Sequence, residues 1–186
     1  MKKRLAIYLG LLAALFLWGG FIKSDSNTVI YIVRHAEKDA SNPNNADPDL
    51  SAEGQARAID LARTLRKEKI AAIFTTSYKR TEQTAIGVAK NNNLNIMHYE
   101  AKDFAGVAQN VLSQYKNQKT LIVGHSNTIL EIAKAFGAKT PVETLEDDDY
   151  DLLLRVTINK SGQAKLLISR YGKPHHSTVV PLGKEL

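Results

Sequence analysis

Four short apolar runs constrain the fold more than any other feature of this sequence. They lie at residues 28–33 (TVIYIV), 70–74 (IAAIF), 94–98 (LNIMH) and 120–124 (TLIVG). Runs of this length, rich in apolar and β-branched residues, are typical of strands that are buried on both faces of a sheet. Segments of helical character separate them. Strands that alternate with helices predict a parallel sheet covered by helices on both faces.

The helices and loops between the strands carry recognisable signals. Helices are predicted at about 51–67, 79–90, 104–115 and 128–136. Ser51 is suited to cap the first of them, and Gly137 to stop the last. Residues 36–50 are rich in Asn, Asp and Pro, which indicates a loop.

Two further apolar segments follow the last helix. Residues 150–158 and 163–169 flank the turn sequence NKSG, so they predict an antiparallel hairpin. The predicted fold class is therefore α/β, a three-layer sandwich with a mostly parallel central sheet flanked by helices. It forms one domain over residues 28–186.

The N-terminus has the pattern of a targeting segment. Lys2, Lys3 and Arg4 precede 18 positions without a charge, residues 5–22. A helix of that length covers about 27 Å, enough for a bilayer core. Residues 1–23 are thus predicted to be a transmembrane signal-anchor or a cleaved signal peptide, with a buried core helix as a third alternative, and 24–27 a short linker. The positive flank stays cytoplasmic, so the folded domain is expected outside, on the inner membrane or free in the periplasm.

Charge and cysteine content exclude several classes of protein. The formal charge is +6, but residues 1–23 hold four basic residues and no acid, which leaves 21 bases against 19 acids in the remainder. That near balance argues against a nucleic-acid-binding surface. The chain has no cysteine, which excludes disulfides, Cys-ligated metals and thiol catalysis.

Unusual polar residues follow three of the predicted strands. Arg34 and His35 end the first, Arg80 lies shortly after the second, and His125 ends the fourth. In open α/β sheets, ligands bind outside the carboxyl ends of the strands. Two Arg and two His are a poor metal site, because a guanidinium repels cations, but they suit a dianion such as phosphate. No cofactor is expected.

Three motifs carry a family resemblance. They are RHAEK at residues 34–38, SYKRTEQTA at 77–85 and VGHSNT at 123–128. In this order, each at a strand end, they resemble the histidine phosphatase superfamily, which is phosphoglycerate mutase-like. The nearest resemblance is to its short bacterial group, the phosphohistidine phosphatases, over about residues 28–172. The phosphoglycerate mutases have a longer insertion between the second Arg and the second His.

The resemblance implies roles for individual residues. His35 would be the nucleophile that takes the phosphoryl group, and Arg34, Arg80 and His125 would bind the phosphoryl oxygens without a metal. The general acid is not matched by a motif: larger members of the family use a carboxylic acid, and Glu100 is the candidate here because it lies just past the third predicted strand. Asp103 is the second choice for that role, and small members of the family can work without an acid.

The implied function is that of an exported, membrane-tethered phosphatase. Its substrate would be a phosphorylated small molecule or a phosphoprotein, and the oligomeric state is left open. The alternatives are a phosphomutase and a phospho-ligand binding module without turnover.

Other polar residues are interpreted structurally. Glu37 is expected to form a salt bridge at the pocket rim. Asp147, Asp148, Asp149 and Asp151 are expected in a solvated loop, and the pair His175 and His176 is expected to be exposed and idle.

Overall fold

The computed structural model describes residues 27–186. The predicted targeting segment, residues 1–23, lies outside them. Within the described part of the chain, no helix is both long and apolar enough to span a membrane.

The centre of the fold is a six-stranded sheet with the order β3-β2-β4-β1-β5-β6. The strands are β1 (Thr28–Arg34), β2 (Ala72–Thr75), β3 (Ile96–His98), β4 (Lys119–Gly124), β5 (Leu152–Ile158) and β6 (Ala164–Arg170). The first four are parallel, whereas β5 pairs antiparallel with β1 and β6 antiparallel with β5. The predicted mixed sheet, with its closing hairpin, is confirmed.

Within residues 27–186, four helices cover the two faces of the sheet. They are α1 (Ala52–Thr64), α2 (Lys79–Asn92), α3 (Phe104–Gln114) and α4 (Ile129–Ala135). Because side chains alternate along a strand, Ile30 and Ile32 pack with α3 and α4, while Tyr31 and Val33 pack with α1 and α2. The three-layer arrangement therefore follows from the alternation within the buried strands.

Some element boundaries differ from the predicted ones. The Ser51 hydroxyl caps α1 as expected, accepting from the Gly54 N–H. The third strand, predicted from residue 94, begins at Ile96. The reason is that Asn93 takes a left-handed conformation (φ 53°) and Leu94 N–H still bonds the Ala89 carbonyl, so residue 94 belongs to the end of α2.

The register of the sheet brings the polar strand ends together. Arg34 is opposite Gly124 in the β1–β4 pair, and Thr75 is opposite Val123 in the β2–β4 pair. Residues 35, 76 and 125 therefore leave the sheet side by side at one edge.

Candidate active site

Two histidines form the centre of this edge. The His35 N–H donates to the Gly124 carbonyl at 2.9 Å, which continues the β1–β4 ladder by one residue. The rings of His35 and His125 lie 5.3 Å apart in an edge-to-face arrangement. Thr76, which follows β2, has its hydroxyl oxygen 3.0 Å from His125 Nε2. Three neighbouring strands thus contribute to a single site.

The protonation of His35 follows from its surroundings. Its Nδ1 lies 2.8 Å from the Ala36 carbonyl oxygen, which only accepts, so Nδ1 carries the proton. Burial lowers the pKa of His35 to about 3, and the positive charges of Arg34 and Arg80 act in the same direction. His35 is therefore a neutral imidazole whose Nε2 keeps its lone pair at physiological pH.

His125 is also held neutral. Burial lowers its pKa to about 4, with further contributions from Arg80 and Arg34. Its backbone N–H donates to the Thr128 hydroxyl at 2.8 Å, which fixes the turn after β4. His125 is thus held at two points after β4, its Nε2 by the Thr76 hydroxyl and its backbone by the Thr128 hydroxyl.

The two arginines flank the histidines. Arg34 is 5% exposed, donates to the Asp147 carbonyl at 2.6 Å, and lies with its guanidinium carbon 3.9 Å from the centre of the Tyr150 ring. Arg80 lies 4.2 Å above the Tyr78 ring. The buried Arg34 Nε has no hydrogen-bond partner among residues 27–186. A buried donor of this kind lacks its acceptor, and a phosphate oxygen would supply one.

These side chains line one cavity of about 520 Å³. Lys38 and Lys102 add positive charge to its lining, and Tyr78 and Phe104 add aromatic surface. Another cavity, of about 570 Å³, lies between α1 and α2, but its lining contains neither His nor Arg. The 520 Å³ cavity is therefore the one that contains the polar residues from the strand ends, namely Arg34, His35, Arg80 and His125.

Neither candidate acid, Glu100 or Asp103, lines the cavity that the four basic residues line. Glu100 is exposed, and the lining of the 520 Å³ cavity includes its neighbours Ala101 and Lys102 but not Glu100 itself. Asp103 caps α3, with Oδ1 accepting from the Gly106 N–H at 2.8 Å. The carboxylates of residues 27–186 that line the cavity are Glu131 and Asp147. Asp147 was predicted only as part of a solvated loop, and Glu131 was not singled out by the sequence.

Two residues of the acidic run before β5 are buried, so the expectation of a solvated loop is wrong for them, whereas Asp147 is exposed. Asp149 is 0% exposed and Asp151 is 1% exposed. Asp149 accepts from the backbone N–H groups of Glu146, Ser177 and Thr178. Burial alone would raise the pKa of Asp149, but these bonds and the Thr178 hydroxyl outweigh it and lower that pKa.

His175 and His176 are likewise bound rather than idle. His175 Nδ1 lies 2.8 Å from Glu37 Oε1, and His176 Nδ1 lies 2.6 Å from Asp151 Oδ2. The expected Glu37 salt bridge is present, since Arg57 Nε donates to both of its carboxylate oxygens at 2.8 and 3.0 Å. It does not lie at the pocket rim as expected: Glu37 is buried and does not line the 520 Å³ cavity.

Residues 171–178 form what we call the C-terminal strap. Arg57 also donates to the carbonyls of Tyr171 and Lys173, so it clamps the strap against α1. The Tyr150 N–H donates to the His175 carbonyl, and the two rings lie 5.0 Å apart. The strap therefore packs behind Tyr150, the ring that underlies Arg34.

The comparison with known families agrees with this geometry. Residues 30–102, which contain three of the four basic residues, match the family model of the histidine phosphatase superfamily, branch 1. This match covers 73 of the 186 residues, so that part of the chain is similar to the histidine phosphatase superfamily.

The known proteins that are similar to this chain match different shares of it. Phosphoserine phosphatase 1 of Hydrogenobacter thermophilus is 37% identical over 73 residues. That match spans 37% of this chain and 34% of the relative, so it covers about a third of the relative's length.

Solved structures match most of the described fold. The protein histidine phosphatase SixA, in a complex with tungstate, superposes with a TM-score of 0.61 at 18% identity, over 76% of this chain and 96% of that one. Mycobacterial glucosyl-3-phosphoglycerate phosphatase gives a TM-score of 0.59 at 14% identity, over 78% and 98%. At such identities the likeness establishes the fold.

Proposed function

We propose that this protein is a metal-independent phosphatase of the histidine phosphatase type that hydrolyses phosphate monoesters, or a phosphohistidine, through a phosphohistidine intermediate on His35. The observation that carries the proposal is the state of His35. Its proton is fixed on Nδ1 by Ala36, and its pKa is lowered to about 3, so Nε2 is a nucleophile beside two guanidinium groups.

The reaction divides into two displacements. In the first, the Nε2 lone pair forms a bond to phosphorus while the bond from phosphorus to the leaving oxygen or nitrogen breaks. In the second, the oxygen of a water molecule forms a bond to phosphorus while the bond between phosphorus and Nε2 breaks. The proton that the water loses passes to solvent, and His35 returns to its neutral form. Arg34, Arg80 and His125 stabilise the charge on the phosphoryl oxygens in both steps. Loss of one such donor typically costs about 3–4 kcal/mol, or roughly 10²–10³ in rate.

The leaving group determines whether an acid is needed. An alkoxide needs a proton, and Glu100 is our candidate donor, because it is exposed next to two residues that line the cavity. Asp103 is the weaker candidate, since its carboxylate is engaged in capping α3. A phosphohistidine substrate would need neither, because imidazole is a better leaving group than an alkoxide.

The alternative functions fit less well. A binding module needs the arginines but has no use for a neutral, nucleophilic imidazole. A phosphomutase would need a larger enclosure, yet Arg80 and His125 are only 45 residues apart, and α2, β3, α3 and β4 occupy that stretch. A phosphorylated small molecule or a phosphoprotein is the proposed substrate class.

We further propose that the protein is exported and held at the membrane by its N-terminus. The support is the sequence pattern of three basic residues before 18 uncharged positions. Signal cleavage, with release of a soluble domain, is the competing outcome.

The test uses the full chain in detergent and p-nitrophenyl phosphate without added metal. We expect His35→Ala to abolish turnover and to remove the acid-labile label left by a brief quench with labelled substrate. His98→Ala is the matched control, because His98 is half exposed in an ion pair with Glu82 and should retain wild-type activity. Turnover by the His35→Ala protein at the wild-type rate would overturn the proposal.

A further inference from the structure

Two tyrosine rings stand in the same relation to the four basic residues. The Tyr150 ring lies 3.9 Å below the guanidinium carbon of Arg34 and 6.2 Å from the His35 ring. The Tyr78 ring lies 4.2 Å from the guanidinium carbon of Arg80 and 5.5 Å from the His125 ring, at 90° to it. Each ring therefore contacts one arginine and one histidine of the proposed phosphate site.

A tyrosine ring can hold an arginine in place and still leave its N–H groups and its charge available for phosphate, which a carboxylate could not do. A carboxylate that held an arginine by close hydrogen bonds would take the N–H groups needed for phosphate and cancel the charge. The nearest carboxylate contacts of the two arginines are long, 3.8 Å from Arg34 to Asp147 and 3.7 Å from Arg80 to Asp47. A ring face attracts a guanidinium without accepting its strong N–H hydrogen bonds.

The same rings also restrain the histidines. Edge-to-face contacts between aromatic rings have a preferred geometry, so each tyrosine limits the rotation of its neighbouring imidazole. The Nε2 atom of His35 must point at phosphorus for in-line attack, and a small misplacement lowers the rate steeply.

We propose that Tyr78 and Tyr150 are positioning residues, each of which holds one arginine and one histidine in the geometry that binds and transfers a phosphoryl group. The inference rests on the proposed phosphatase function. It predicts that the ring, and not the hydroxyl group, is the part of each tyrosine that matters.

Tyr78 provides the sharper test because it is 40% exposed, whereas Tyr150 is buried against the C-terminal strap. We expect Tyr78→Leu to lower kcat/KM for p-nitrophenyl phosphate by about 3- to 30-fold, the range that the strength of a cation–π contact allows. Tyr78→Phe, which keeps the ring, should stay within about 2-fold of wild type.

A double-mutant cycle separates positioning from a general structural role. Combined with Arg80→Ala, Tyr78→Leu should cause a smaller loss than it does alone, because the arginine is absent and only the contact of the ring with His125 remains. An equal loss in both backgrounds, or a wild-type rate for Tyr78→Leu alone, would overturn the inference.

Binding of inorganic phosphate, measured by calorimetry, gives the same comparison without turnover. If the wild-type protein binds phosphate but does not turn over, the phosphatase proposal fails and the inference is judged on affinity alone: a weaker affinity for Tyr78→Leu, restored by Phe, supports it. Equal affinities of the three proteins would refute it. Tyr150→Phe should likewise match wild type in affinity and in unfolding midpoint.

Discussion

The low pKa values of the two central histidines predict that the protein loses stability on mild acidification. An unperturbed histidine titrates at a pKa of about 6.5. His35 and His125 have pKa values of about 3 and about 4 in the folded protein. Between pH 6.5 and 4, the unfolded chain therefore binds protons that the folded chain does not. The free energy of unfolding is therefore not reduced by these two histidines above pH 6.5, and it falls as the pH decreases through this window.

The magnitude follows from the same values. At pH 5 an unfolded histidine is about 97% protonated while the folded one is almost entirely neutral, which costs about 2 kcal/mol for each residue. The two together should lower the free energy of unfolding by about 4 kcal/mol between pH 8 and pH 5. That is a large fraction of the 5–15 kcal/mol typical of a domain.

The assay is urea unfolding of the full chain in detergent, followed by circular dichroism at pH 8, 6.5 and 5 and at constant ionic strength. His35→Gln and His125→Gln remove one titrating group each, so each variant should lose about 2 kcal/mol less than wild type over the same interval. The buried acids do not contribute in this range, since the pKa values of Glu37, Asp149 and Asp151 lie below their ordinary values.

One result would refute the reasoning. If the pH dependence of His35→Gln equals that of wild type, His35 becomes charged in the folded protein as easily as in the unfolded chain. The neutral nucleophile on which the mechanism depends would then be lost as well.

Three further predictions concern the acid, the metal and the membrane. If Glu100 is the acid, Glu100→Gln should slow alkyl phosphate hydrolysis by roughly 10²–10⁴ and leave p-nitrophenyl phosphate almost unchanged; selective loss in Asp103→Asn instead would move the assignment, and loss in neither variant would indicate a substrate with a good leaving group. EDTA should leave activity unchanged and vanadate should inhibit, whereas activity lost in EDTA and restored by a divalent ion would contradict a site charged by arginines. Protease added to spheroplasts should degrade residues 24–186; protection would contradict export, and a soluble periplasmic form shortened by about 20–26 residues would indicate signal cleavage.

The sequence was sufficient for the fold because its signals are local. Each buried strand is a short apolar run, and each helix has its own cap or stop, as Ser51 and Gly137 illustrate. The sequence also predicted that His35 and His125 lie close together, because parallel strands bring their carboxyl ends to the same edge of the sheet.

The contacts around the site could not be predicted from the sequence in this way. Asp151 and His176 look like surface residues along the chain, and only the folded structure pairs them, 25 residues apart. The contact of Tyr150 with Arg34 likewise depends on the loop before β5 returning to the end of β1. No local pattern encodes such contacts, because they form between segments whose separation is set by the whole fold.

The C-terminal strap determines the stage of protein synthesis at which the proposed phosphate site can be fully supported. Glu37, three residues after Arg34 in the first motif, is bound by His175, 138 residues later, and Arg57 grips the Lys173 carbonyl 116 residues away. Translation proceeds from the N-terminus, so the first motif is synthesised long before these distant partners. The segment that carries Arg34 and His35 acquires the contacts through Glu37 and Arg57 only after residue 175 has been synthesised. The proposed phosphate site therefore lacks part of its support in any nascent chain that ends before residue 175.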